Sequence, residues 1–176
     1  MSKRSPRQFT DPLDFVPTPP EVVISLIGCL SPGTRFHEPC AGDGALAQAL
    51  GEAGMVCTGM SDIEPRAPGI ERRAVAQLDP TARLAITNPP WARDLLVPVI
   101  HDMLAIFDTF WLLQPLDHLA NLWMDPFRPY HVHVRMIGRV RWLPSSKHKG
   151  FENYAWILYQ RWPRDRPITS RSTPGV

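Results

Sequence analysis

Short apolar segments alternating with amphipathic ones constrain this chain most, because few architectures can bury both kinds at once. Hydrophobic periodicity predicts a helix over 19–29, a strand over 34–38, a helix over 44–54, strands over 55–60 and 83–87, a helix over 93–105 and a strand over 109–113. Strands joined through helices run parallel, since a crossover and not a tight turn connects them. Beyond this region the pattern changes to a loop or short helix around 116–123 and two strands, 132–142 and 155–160, expected to pair antiparallel. The expected fold is therefore α/β: a mostly parallel sheet with helices on both faces and an antiparallel C-terminal strand pair.

A hydrophobic content of 44% in 176 residues can fill one core. We expect a single domain over 1–162, a flexible arm at 1–14 and a flexible basic tail at 163–176. The longest apolar stretches, 22–30 and 105–113, are too short or interrupted to cross a bilayer, and no secretory signal opens the sequence, so a soluble cytoplasmic protein is expected. Cys29, Cys40 and Cys57 show no CxxC spacing, and His131 and His133 have no nearby acidic or cysteine partner. No metal site is expected.

The stretch Glu38-Pro39-Cys40-Ala41-Gly42-Asp43-Gly44, between a predicted strand and a predicted helix, is a ligand-binding type of turn. Gly42 and Gly44 allow close backbone approach, and Ala47 takes the third small position of the pattern. The same pattern serves dinucleotide sites. However, Glu38 and Asp43 would repel a pyrophosphate and favour a ligand bearing an ammonium and a sulfonium, as S-adenosylmethionine does. Asp62, 20 residues after Gly42, stands where an acid holds ribose hydroxyls, with Glu64 as its rival. Asp79 is a candidate acceptor for the cofactor's adenine amine, and equally a turn residue before Pro80.

Asn88-Pro89-Pro90-Trp91 follows the strand at 83–87. Both prolines have φ locked, and the residue before each is driven out of the helical region, so the Asn88 amide is held in place. Such a frame can accept hydrogen bonds from an exocyclic NH2, with Trp91 expected to stack on the ring of a flipped-out base. A strand-terminating turn is the structural alternative.

The net charge of +2 conceals an asymmetry. Three basic residues and no acid lie in 1–7, and nine against two in 130–176, so +10 at the ends leaves −8 for 8–129. Basic flanks on an acidic core suit a polyanionic partner. Arg135, Arg139, Arg141, Lys147 and Lys149, with Asn153, are candidate nucleic-acid contacts, the last three within the polar linker at 143–153.

Together these residues resemble the class I S-adenosylmethionine-dependent amino-methyltransferases, in particular the small phage-type and bacterial DNA adenine-N6 methyltransferases. Phe15-Val16-Pro17-Thr18-Pro19 looks like the family's N-terminal cofactor motif, Glu38 to Gly44 like its glycine loop, and Asn88 to Trp91 like its catalytic tetrad. The resemblance implies a Rossmann-like fold, S-adenosyl-L-methionine as cofactor and DNA as partner. It implies a cofactor site at Pro17, Thr18, Glu38, Pro39, Cys40, Ala41, Gly42, Asp43, Gly44, Asp62, Ile63, Asp79 and Asn88. Catalysis falls to Asn88, Pro89, Pro90 and Trp91. No segment is long enough for a separate target-recognition domain, so a short or relaxed recognition sequence is expected. Similar tetrads also serve RNA adenine and protein glutamine, and a non-catalytic nucleic-acid-binding module is the reading from a different class.

Overall fold

The computed structural model of the protein describes residues 13, 15–142, 150, 152–166, 168 and 169. Seven strands form one sheet: β1 (Arg35–Glu38), β2 (Val56–Asp62), β3 (Glu71–Arg72), β4 (Leu84–Thr87), β5 (Thr109–Pro115), β6 (His131–Arg139) and β7 (Asn153–Gln160). Their order is β3-β2-β1-β4-β5-β7-β6. The first five strands are parallel, and β7 inserts antiparallel between β5 and β6.

Three helices cover the sheet: α1 (Pro20–Ile27), α2 (Ala45–Glu52) and α3 (Arg93–Ile106). Side chains alternate across each strand, and the core divides accordingly. Phe36, Ile86, Trp111, Leu113 and Trp156 pack with Val22, Val23 and Leu26 of α1 and Leu46 and Leu50 of α2. Ala85, Phe110, Leu112, Ile157 and Tyr159 face the other way, against Leu96, Ile100 and Met103 of α3. Strand β5 is buried from Phe110 to Pro115 because both its faces are covered, which is why its sequence reads as a continuous apolar run. Pro20 opens α1, where its missing N–H leaves no bond unmade. The Trp156 indole N–H donates to the Val22 carbonyl (3.1 Å), fixing β7 beneath that helix.

Several boundaries differ from the sequence expectation. Strand β3 has two exposed charged residues and no apolar pattern; it exists because Glu71 and Arg72 pair with Ser61 and Asp62 of β2. The segment after β5 forms 3₁₀ turns over Leu116–Ala120 and Leu122–Tyr130, the second carrying Pro126 and Pro129. Strand β6 stops at Arg139, and β7 starts two residues earlier than its apolar run. Of the tail expected from Pro163, Arg164 N–H donates to Pro129 O (2.6 Å) and the Thr169 hydroxyl meets His131 Nδ1 (2.6 Å). These bonds join the described residues Arg164 and Thr169 to the body of the fold. No helix among the described residues is long and apolar enough to cross a membrane.

Strand β1 pairs with β2 on one side and β4 on the other, so the chain reverses its winding direction between β1 and β4. Open α/β sheets form their ligand crevice outside the carboxyl ends of the strands at such a point.

Candidate active site

A cavity of about 210 Å³ occupies that crevice. Its floor is the turn after β1, where Glu38, Pro39, Cys40, Ala41 and Asp43 line it; Asp62 and Ile63 enter from the end of β2, and Asn88 and Pro90 from the end of β4. Phe15, Val16, Pro17 and Thr18, ahead of α1, close the near side.

The turn needs glycine at two places. Gly42 has φ 54°, and a Cβ there would come within 2.3 Å of Phe15 Cε2; Gly44, φ 82°, precedes the first residue of α2. Two carboxylates brace the turn. Asp62 Oδ2 accepts from Gly42 N–H (2.7 Å) and its Oδ1 from Glu64 N–H (2.8 Å), which orients the carboxylate while leaving lone pairs for a ligand. Glu38, 1% exposed, accepts from Ala47 N–H in the first turn of α2 (2.9 Å). Burial holds the Glu38 carboxyl well above the usual range; the Ala47 N–H opposes the shift, and the charges of Asp43 and Asp62 add to it. Burial also pushes the Cys40 thiol up to about 12, reinforced by Asp62 and Glu38 and opposed by the Thr87 hydroxyl.

Asn88 is held from the opposite wall. Its Nδ2 donates to Val16 O (3.2 Å) and Thr18 Oγ1 (3.2 Å). Because a backbone carbonyl only accepts, the first bond decides which end of the amide carries hydrogens. The other end, Oδ1, is buried without a hydrogen-bond partner. An orphaned acceptor at a cavity wall costs free energy until a donor arrives, so the amide is poised for a ligand N–H. Pro90 lines the cavity beside it.

No protein-family model matches the sequence, and no curated protein matches it. Solved structures do match. A candidate RNA methyltransferase from Pyrococcus horikoshii aligns with a TM-score of 0.63 at 14% identity, over 86% of this chain and 91% of its own. A dimethyladenosine transferase from Plasmodium falciparum aligns at 0.55 and 12%, over 83% and 63% respectively. Magnesium protoporphyrin IX methyltransferase from Synechocystis, solved with bound S-adenosylmethionine, aligns at 0.53 and 15%, over 81% and 79%.

The fold is that of the class I methyltransferases.

Within it, ten of the thirteen residues that the resemblance implied for the cofactor site line one cavity: Pro17, Thr18, Glu38, Pro39, Cys40, Ala41, Asp43, Asp62, Ile63 and Asn88. Gly42 and Gly44 shape the turn without lining it. Asp79 is exposed and absent from the lining, where Ala74 and Val75 stand in its place. The chain turns inward at Val75, which opens the 3₁₀ turn Val75–Gln77, and at Leu78, and Asp79 follows on the exposed side. Glu64, the rival of Asp62, also reaches the lining.

Trp91 differs most from expectation. Its ring is 7% exposed, its indole N–H donates to Leu113 O (3.0 Å), and the rings of Trp142 (4.8 Å) and Tyr154 (5.0 Å) pack against it. Neither Trp91 nor the buried Pro89 lines the cavity. Trp91 is a core residue here, and no open face is left for a base. Its partners come from the two ends of the β6–β7 connection, more than 50 residues away, so nothing near the tetrad announces them.

The basic candidates separate as well. Arg139, Arg141 and Asn153 are exposed at the carboxyl edge of the sheet, because β6 runs in the same direction as β5. Three strand spacings from β4 put that end of β6 roughly 14 Å from Asn88 along the sheet edge. Arg135 is exposed further down β6 and donates to Ser25 O (3.2 Å). Lys147 and Lys149 lie outside the described residues. The sequence reading missed Arg66 and the α3 residues Leu95, Pro98, Val99 and Asp102 of the lining. The last four recur at helical spacing, a signal that was present but indistinguishable from core packing.

Proposed function

We propose that the chain transfers a methyl group from S-adenosylmethionine to the N6 amine of adenine in DNA, with short or relaxed sequence specificity. The observation that carries this reading is the Asn88 amide, tethered through Nδ2 with Oδ1 left as a buried, unpartnered acceptor at the cavity.

The cavity's donor set suits the cofactor. Asp62 takes the ribose hydroxyls, Glu38 and Asp43 face the ammonium and sulfonium, and the apolar side chains of Ile63 and Val75 bracket the adenine. When bound, S-adenosylmethionine supplies a methyl group already activated on sulfur. The protein's part is then positioning. Asn88 Oδ1 accepts an N–H of the target amine, drawing its lone pair out of conjugation and toward the methyl group. Holding reactants in near-attack geometry is worth roughly 7–11 kcal/mol, which a proline-locked frame preserves. Arg139, Arg141 and Asn153, exposed at the carboxyl edge of the sheet, contact the phosphate backbone.

Adenine in RNA is the second reading, favoured by the structural likeness to a candidate RNA methyltransferase and to a dimethyladenosine transferase. One experiment separates them: transfer of radiolabelled methyl groups to double-stranded DNA, single-stranded DNA and RNA in parallel, with nucleoside analysis of the product. Label in N6-methyladenine of DNA supports the main reading, and label only in RNA supports the second. Asn88→Ala is expected to abolish transfer while S-adenosylhomocysteine still binds; retained turnover in that variant refutes the role of the amide.

A further inference from the structure

The cavity extends beyond the turn and the ends of β2 and β4, into a recess between α3 and the turn at Val75–Gln77. Leu95, Pro98, Val99 and Asp102 line it from one helical stripe, and Ala74 and Val75 line it from the facing turn. Five of these six side chains are apolar. Asp102 is the exception, and its carboxylate has no hydrogen bond or ion pair to any described residue. A carboxylate on an otherwise apolar wall gives up part of its hydration there, and an N–H donor restores it.

The planar part of a ligand selects such a recess. Ile63, Val75 and Val99 present apolar surface to the faces of a flat ring, and one carboxylate at the rim recognises a ring carrying an exocyclic amine. The usual expectation places that acid in the loop after β3, but Ala74 and Val75 occupy the lining there and Asp79 is exposed outside it. We propose that Asp102 of α3 receives the exocyclic amine of the cofactor's adenine and so sets the cofactor's base specificity. This rests on the reading of the cavity as an S-adenosylmethionine site. The carboxylate comes from α3, about three turns beyond Trp91, so the helix that follows the Asn88-Pro89-Pro90-Trp91 segment also reads the cofactor base.

Calorimetric titration of the full chain with S-adenosylhomocysteine and S-inosylhomocysteine tests this. In the inosyl compound a carbonyl replaces the amine. The wild type is expected to prefer the adenosyl compound by roughly 10- to 100-fold, the value of a hydrogen bond to a charged group. Asp102→Ala is expected to erase most of that preference. Asp102→Asn, isosteric and able to donate to a carbonyl, is expected to shift it toward the inosyl compound. An undiminished adenosyl preference in both variants, each with a wild-type circular dichroism spectrum, overturns the assignment to Asp102 and leaves the cofactor reading standing. Failure of the wild type to bind either compound overturns the cofactor reading and the Asp102 assignment with it. A uniform loss of affinity for both compounds in Asp102→Ala, with the ratio unchanged, also counts against base recognition.

Discussion

Gly42→Ala is the sharpest single test of how the turn after β1 is built. The substitution carries two separable costs. Gly42 sits at φ 54°, a left-handed conformation that costs an L-residue about 1–2 kcal/mol. The new Cβ would also stand 2.3 Å from Phe15 Cε2 and 2.9 Å from Cδ2, far inside the 3.5–4.0 Å of ordinary carbon contact, so the ring must swing away. Its departure uncovers the Arg66 guanidinium, which lies 4.2 Å over the Phe15 ring; at an exposed site that contact is worth about 0.5–1 kcal/mol. Together these predict a loss of about 1.5–3 kcal/mol. For a chain of this length each kcal/mol shifts the midpoint by about 2–4 °C, giving a Tm lower by roughly 3–12 °C. Because Phe15 also lines the cavity, S-adenosylhomocysteine affinity is expected to fall as well. Differential scanning calorimetry with and without the ligand measures both. Phe15→Leu in the same background isolates the steric part, since it relieves the clash and leaves the backbone cost. An alanine variant that melts within 1 °C of the wild type and binds equally well would refute this account of the turn.

Glu38→Gln should raise the Tm of the ligand-free protein at neutral pH relative to wild type and weaken S-adenosylhomocysteine binding by roughly 10- to 100-fold, because burial penalises the carboxylate, the Ala47 N–H offsets that in part and a cationic ligand adds to the offset. The sign follows from linkage: Glu38's folded pKa is raised, so its favourable contribution is complete below the unfolded value and is lost as pH rises through the folded one. Thermal melts at pH 4 and pH 7.5 check it; a neutral-pH Tm below wild type contradicts it. His131 acts in the opposite sense. Burial, with the Arg128 charge, lowers its pKa to about 4, so the folded state binds fewer protons between pH 6.5 and 4 and loses up to about 3 kcal/mol as pH falls through that window. Measured in the Glu38→Gln background to remove the competing slope, His131→Gln should flatten the dependence of stability on acid. Finally, iodoacetamide at pH 8 should alkylate exposed Cys29 within minutes and spare Cys40, whose thiolate is a minor species at a pKa of about 12. Fast modification of Cys40, read by peptide mass spectrometry, would mean that its thiol is not held in that environment.

Local rules carried the sequence reading where chemistry is local. The glycine turn from Glu38 to Gly44, the acid 20 residues further on and the proline-locked Asn88 all depend on neighbours in the chain, and all meet at one cavity. The alternation of helix and strand was legible for the same reason: a buried strand and a one-sided helix each impose their own period. What failed was non-local. Strand β3 carries no pattern of its own and exists only as a partner for β2. Val75 is buried at the start of a 3₁₀ turn whereas Asp79, two residues past its end, is exposed, a difference the local sequence does not announce. Trp91 looked like an open aromatic face until Trp142 and Tyr154, brought alongside by the β6–β7 pairing, covered it. By itself, then, the sequence determined the fold class, the sites of the sharp turns and the residue types able to meet a cationic nucleoside. Tertiary structure alone decided which acids face the cavity and which rings lie in the core, because accessibility depends on what the folded chain packs against a residue, a property no short window of sequence contains.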